Sequence, residues 1–294
     1  MPTIAVTGAT GQLGRLVVES LQDRGADVVA VVRDPAKAAE VLGSDVEVRV
    51  AGYDDRAALQ AALAGVDTVV LVSGSEVGRR VQQHTNAVEA AKSAGVTRVV
   101  YTSAPNADTT TLALAPEHKA TEEVIARSGL AWTFLRNNWY HENYTAQVGQ
   151  AAESGVLLGS AHQGRTASAA RRDYAEAAAA VAAGEGHEDR VYELAGDVAW
   201  TMPELAAAIT EVTGRPVEYR DLSTAEHVAA LTATGLDEGT AGFVAALDAN
   251  TAEGALADTS GDLRRLIGRP TTPLVDGLRA PSPDRVLSSS KGVS

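Results

Sequence analysis

Two hydrophobic patterns alternate along the first half of the chain. Short and almost wholly apolar runs, TIAVTG, DVVAVVR, VEVRVAG, TVVLVSG, RVVYTSA and AWTFLRN, recur at regular intervals. Between them lie longer segments whose apolar residues return every three or four positions: GQLGRLVVESLQDRG, DPAKAAEVLG, DDRAALQAALAG, RRVQQHTNAVEAAKSAG and PEHKATEEVIARSG. A run apolar on consecutive positions has both faces to bury, as strands of a parallel sheet do, whereas the three-to-four spacing gives a helix one apolar face. The helical segments close on Gly25, Gly43, Gly65, Gly95 and Gly129, the residue that most easily takes the left-handed turn beyond a helix. Repeated βα units with right-handed crossovers predict an α/β fold, a doubly wound parallel Rossmann sheet.

After about residue 140 the alternation loosens. RRDYAEAAAAVAAG, TMPELAAAITEVTG and TAEHVAALTATG read as helices, with VYELAG and VEYRDLS as short strands. Too few strands remain for a second full sheet. The expected organisation is a dinucleotide-binding domain over residues 1–150 and a second, smaller, mostly helical domain over 151–280, with some segments returning to the first. That second domain is expected to cover the carboxyl ends of the strands, where such sheets bind ligands. Residues 281–294, rich in Ser and poor in apolar groups, read as a disordered tail.

Chemistry enters at the first turn. In TIAVTGATGQLG, Gly8, Gly11 and Gly14 stand three apart, after a strand and at the start of a helix. Gly8 suits the tight turn, Gly11 lets the backbone approach a phosphate, and Gly14 lets the helix pack on the strand. With Thr10, Gln12 and Leu13 between and beside them, they present the positive end of a helix to a pyrophosphate. The second strand ends on Arg33, where NAD-binding proteins place a carboxylate for the ribose 2′-hydroxyl. A guanidinium there can clamp a 2′-phosphate, so NADPH is the expected cofactor and NADH a weaker one. Asp34 next to it reads as the cap of the following helix, with Pro35 at its first position.

Composition narrows the remaining options. The 294 residues carry a net charge of −13, which disfavours nucleic acid as a partner, and the longest apolar runs are far short of a membrane span. There is no cysteine, hence no disulfide and no thiolate chemistry, and the histidines show no paired spacing for a metal. A strand directly after Met1 leaves no room for a signal peptide, so a cytoplasmic protein is expected. Abundant Ala and an excess of Arg over Lys suggest a bacterial genome rich in G and C.

Taken together, VTGATGQLGRLVVESL, VVRDPAKA, SGSEVGRRVQQHTNAVEAAKSAGV, YTSAPNADTTTLALAPEH, LRNNWYHENY, RRDYAEAAA, VYELAGDVAWTMPELA and LIGRPTTPL extend over nearly the whole chain. On these stretches it resembles the NmrA-like atypical short-chain dehydrogenases, and among them the NAD(P)H:quinone oxidoreductases of type 2. The resemblance implies two domains, NADPH binding, and hydride transfer to a quinone without flavin. It also implies that Ser73, Gly74 and Ser75, and Ser103 at the end of the fifth run, lie along the cofactor. Relatives that reduce phenylpropanoids carry a lysine where this chain has His118, which makes His118 a candidate proton donor. The alternative is a polar residue at a helix start. Lys119 beside it reads as a surface charge paired with Glu123.

LRNNWYHENY follows the sixth strand and puts Asn137, Asn138, Trp139 and Tyr140 at the carboxyl edge of the sheet. Asn137 and Tyr140 are the further catalytic candidates, through amide and phenol hydrogen bonds to an acceptor oxygen; packing between the domains is the other role for the aromatic pair. One of Arg171 and Arg172 is expected to face the cleft, and Asp173 to cap the helix that follows. No tyrosine is followed four residues on by lysine, the pair that lowers a phenol's pKa in ordinary short-chain dehydrogenases. A ketone's alkoxide needs such a donor, whereas a reduced quinone oxygen is a phenolate of pKa about 10. The expected reaction is therefore reduction of a quinone-like small molecule. A dinucleotide sensor acting on a protein partner and a tailoring enzyme of aromatic natural products remain the alternatives, and a homodimer stays open.

Overall fold

The computed structural model describes residues 2–279. The tail read over 281–294 lies outside the described residues. The strands in chain order are β1 (Thr3–Thr7), β2 (Asp27–Val32), β3 (Glu47–Val50), β4 (Thr68–Leu71), β5 (Arg98–Ser103) and β6 (Ala131–Asn137). Five more follow: β7 (Val156–Gly159), β8 (Arg165–Thr166), β9 (Arg190–Leu194), β10 (Trp200–Thr201) and β11 (Glu218–Asp221). The first five helices are α1 (Gln12–Asp23), α2 (Pro35–Val41), α3 (Arg56–Ala62), α4 (Arg80–Ala94) and α5 (Ala115–Ala126). Beyond them come α6 (Thr145–Ser154), α7 (Arg171–Ala183), α8 (Met202–Thr213), α9 (Thr224–Ala233), α10 (Glu238–Ala252), α11 (Asp262–Ile267) and α12 (Leu274–Arg279).

Each of the six apolar runs is a strand. With β9 as a seventh strand they lie parallel in the order β3-β2-β1-β4-β5-β6-β9, the doubly wound arrangement whose order reverses between β1 and β4. Burial on both faces explains the composition of five of the runs; β3, at the sheet edge, corrects that reading for VEVRVAG, since it is half-exposed with Val50 open to solvent. Ile4 and Val6 face α1 and α7 on one side, while Ala5 joins Val69, Leu71 and Tyr101 under α3 and α4 on the other. All five helix-closing glycines adopt positive φ, from 72° to 87°.

The second half divides between two packing units. VYELAG is β9, which adds the seventh strand beside β6, and RRDYAEAAAAVAAG is α7, packed on α1 in the main core. The five buried alanines Ala175, Ala177, Ala178, Ala179 and Ala182 let α7 approach α1 and the sheet closely. These are the segments of 151–280 that return to the sheet. α11 also joins the main core through Leu263, and Leu256 packs with Leu112 and Ala115. A second unit gathers around Leu157, Trp200, Met202, Leu205 and Ile209, with α6, α8 and α12 around two small sheets, β7–β11 and β8–β10.

Two corrections concern individual residues. Asp173 does not cap α7, whose N-cap is Ala170; fully buried, it binds Arg269, the Thr272 amide and the Thr272 hydroxyl, tying the C-terminal segment down. Lys119 does not pair with Glu123, which binds Arg127 instead; the Lys119 ammonium reaches the Asp108 carbonyl. In both cases a partner distant in sequence or on another turn displaced the local one.

Candidate active site

A cavity of ≈ 570 Å³ opens at the carboxyl ends of β1 and β4, where the strand order reverses. Its floor is the glycine turn. Gly8, Thr10, Gly11, Gln12, Leu13 and Gly14 all line it, and Gly8 has φ of +59°. The turn closes through the Gly11 amide on the Gly8 carbonyl at 2.9 Å. A Cβ on Gly14 would lie 2.9 Å from the Gly8 carbonyl carbon and 3.0 Å from the Ala9 Cα, so strand and helix meet backbone to backbone. Gly11 caps α1 with no side-chain bond, and no acidic residue stands in the first turn, so the positive helix end faces the cavity.

At one end the wall is formed by charged groups near the surface. Arg33 follows β2 and Lys37 stands in the first turn of α2, which Asp34 caps by accepting the Ala36 and Lys37 amides at 2.9 and 3.2 Å. Arg33 packs its methylenes on Gly52 and extends its guanidinium to Glu76 across the opening.

The middle is the loop after β4, where Ser73, Gly74 and Ser75 line the cavity with Tyr53 and Gln83. The loop is held from beneath. The Gly74 amide donates to His84 Nε2 at 3.1 Å, and His84 Nδ1 lies 3.1 Å from the Thr121 hydroxyl, which itself donates to the Glu117 carbonyl. This chain of donors assigns the His84 hydrogen to Nδ1. Arg80 completes the clamp, donating to the Gly74 carbonyl and to Glu117 at 2.7 Å each. Burial, reinforced by Arg80, holds the His84 pKa down to about 3, so the ring is a neutral acceptor. Tyr53 donates to Thr7 Oγ1 at 2.7 Å, and burial pushes its pKa up to about 12.

The far end reaches Tyr140, which lines the cavity; His118, Asn137 and Ser103 do not. His118 is buried with Nδ1 2.8 Å from the Tyr101 hydroxyl, and burial with Arg80 and His84 lowers its pKa to about 3. A ring neutral at physiological pH holds no extra proton to give and retains a single N–H for hydrogen bonding. α5 places it against the Tyr101 hydroxyl of β5, away from the residues that line the cavity. Asn137 donates from Nδ2 to the Tyr140 hydroxyl at 3.3 Å, while its Oδ1 and the Ser103 hydroxyl are buried without a partner among the described residues. Two unpaired polar atoms at the ends of β5 and β6 fit a bound polar group at this end of the sheet. Arg171, buried, lies 4.8 Å above the Tyr140 ring; Arg172 pairs with Glu19 on the surface. Burial raises the Tyr140 pKa, against the Asn137 hydrogen bond and Arg171, so its phenol is protonated near neutral pH.

The model of the NmrA-like family matches residues 1–249. The chain belongs to the NmrA-like family. Quinone oxidoreductase 2 of Escherichia coli is 50% identical over 94% of this chain and 97% of its own length. The crystal structure of an NADPH-dependent quinone oxidoreductase from that organism complexed with NADPH superposes with a TM-score of 0.90, over 94% of this chain and 98% of that one. The chain is also similar to the Citrobacter sp. triphenylmethane reductase complexed with NADP(H), 37% identical, TM-score 0.89, covering 94% and 99% of the two chains.

Lys37, Tyr53, Glu76 and Gln83 also line this NmrA-like cavity and escaped the sequence reading. Lys37 could have been found, because four residues after Arg33 it shares the start of α2. Nothing around Tyr53 or Gln83 distinguishes them from surface residues until the fold brings α4 under the loop after β4.

Proposed function

We propose that the protein transfers hydride from NADPH directly to a quinone-like aromatic acceptor, without flavin. The chain is an NADPH-dependent oxidoreductase, a reading supported by its likeness to the E. coli quinone oxidoreductase along nearly the whole of both chains. The glycine turn and the open start of α1 would hold the pyrophosphate, Arg33 and Lys37 the 2′-phosphate, and the loop at Ser73–Ser75 the ribose nearer the sheet edge. When bound, the reduced nicotinamide supplies the hydride.

The observation that carries the acceptor side is Tyr140. Its hydroxyl oxygen accepts from Asn137, which leaves its own O–H to donate, and it stands in the wall of the same cavity as the glycine turn. The hydride would carry one hydrogen and both electrons from the nicotinamide, which is left oxidised, to the quinone, giving a hydroquinone monoanion; a single proton delivered to its phenolate oxygen completes the hydroquinone. Tyr140 offers that proton or hydrogen bond to the oxygen on which charge develops, and solvent restores it. Because the product oxygen is a phenolate of pKa about 10, close to a phenol's own, no activating lysine is required. Arg171 above the ring favours the charge that forms there.

Spectrophotometric turnover of NADPH with a panel of benzo- and naphthoquinones tests the reading. The expected result is one NADPH consumed per hydroquinone formed by a colourless protein. Bound flavin or a semiquinone as first product would overturn it. Inactivity with every quinone, combined with cofactor-dependent capture of a protein partner, would favour a dinucleotide sensor.

A further inference from the structure

Arg33 has a resident counter-ion. Its Nη1 lies 3.3 Å from Glu76 Oε1, across the opening of the cavity, and both residues line that cavity. Glu76 is held from behind: Arg79 Nη1 reaches its Oε2 at 3.0 Å, and Gln83, buried in α4, donates to the same oxygen at 3.2 Å. Arg79 and Gln83 are themselves tied to Asp54, at 2.9 Å and 3.3 Å. The carboxylate is therefore aimed at Arg33 by a framework that does not depend on a ligand.

This arrangement acts oppositely on the two cofactors. A ribose 2′-phosphate reaching Arg33 brings negative charge to a guanidinium already carrying a carboxylate, and the two anions compete and repel. A ribose 2′-hydroxyl at the same place can donate to that carboxylate. Resting on the assignment of Arg33 as the 2′-phosphate ligand, we propose that Glu76 is a cofactor-discrimination residue that competes with the phosphate for Arg33 and keeps NADH usable. Both side chains face solvent, so the effect is modest and weakens with salt.

The test measures NADPH and NADH dissociation constants by fluorescence titration at low and high ionic strength, for the wild-type protein, Glu76→Gln, Arg33→Ala and the double variant. Glu76→Gln keeps a side chain that Arg79 and Gln83 can still position, and an unchanged Tm checks that the loop survives. The expected result is NADPH binding about three- to fivefold tighter and NADH binding unchanged or weaker, with the gain shrinking in high salt. In the Arg33→Ala background the same substitution should leave NADPH affinity within about 1.5-fold, because the contested guanidinium is gone. An equal gain in that background would overturn competition for Arg33, as would Glu76→Gln changing nothing while Arg33→Ala erases the NADPH preference. An Arg33→Ala variant that retains the full preference overturns the phosphate assignment itself, a result distinct from the other two.

Discussion

The two ends of the cavity hold their polar groups by different means. At the Arg33 end, Arg33 is 77% exposed and Glu76 38%, and they form an ion pair in water. From the middle of the cavity to the opposite end the groups are buried: His84 beneath the loop after β4 is fully enclosed, Asn137 and His118 nearly so, and each makes a defined hydrogen bond. An exposed pair gains little from contact and is easily remade, so this end can exchange one anion for another. A buried polar chain loses a full hydrogen bond when one member changes, because water cannot replace the missing partner. Under the proposed function, the exposed end would select the cofactor and the buried groups would hold the reacting parts in one geometry.

The most severe way to break the comparison is to strike the backbone both ends share. Gly14→Ala puts a methyl group into the Gly8–Ala9 backbone, which neither end can relieve by moving a side chain. NADPH affinity should fall at least about 100-fold, with a loss of stability of about 1–3 kcal/mol from overpacking. Calorimetric titration and thermal melting check both, and an affinity within threefold of wild type would show that the turn does not bear the pyrophosphate.

The buried end should declare itself in the pH dependence of folding. His84 and His118 have native pKa values near 3, while in the unfolded chain they titrate near 6.5. As pH falls below 6.5 the unfolded chain takes up protons that the fold refuses, so stability is complete above about pH 7 and declines toward pH 3. From pH 6 to pH 5 the pair should account for a loss of about 2 kcal/mol. Urea midpoints at the two pH values measure it. The double variant His84→Gln, His118→Gln should show a clearly shallower decline, and an unchanged slope would refute the buried, neutral state of both rings.

Within the buried end, Tyr140→Phe removes the proposed donor and keeps the ring beneath Arg171. A fall in kcat of about 20-fold with little change in the KM for NADPH is expected, below the usual range for a general acid because the quinone oxygen is weakly basic. His118→Ala should instead lower the Tm with kcat reduced no further than the stability loss explains, since its ring contacts Tyr101 and not the cavity.

The exposed end gives the smallest effect and the sharpest contrast. Arg33→Ala should weaken NADPH binding about tenfold, about 1.4 kcal/mol, and leave NADH nearly unchanged. The difference should diminish between low and high salt, whereas the Tyr140→Phe effect should not. Equal salt dependence of the two would erase the distinction between the ends.

Much of this molecule was determined by the sequence alone. Six apolar runs and five glycine-closed helices specify the doubly wound sheet, because apolar burial and left-handed helix ends are local requirements that local residues satisfy, although the exposed edge position of β3 was not among them. The glycine turn and Arg33 belong to the same class: a backbone approach and a strand-end charge have fixed offsets along the chain, and they face one cavity here. The tertiary structure decided what depends on partners far apart. His118 occupies the expected position in the sequence, but Tyr101 from β5 and Arg80 from α4 make it a buried neutral ring. VYELAG and RRDYAEAAAAVAAG have the periodicity of a strand and a helix, yet periodicity does not say which sheet edge or helix they join; the open edge of β6 and the alanine face of α7 against α1 settle that. Glu76 reads as one more surface charge until β2 and the loop after β4 bring it to Arg33, because the contact spans 43 residues of sequence and only the fold makes it short.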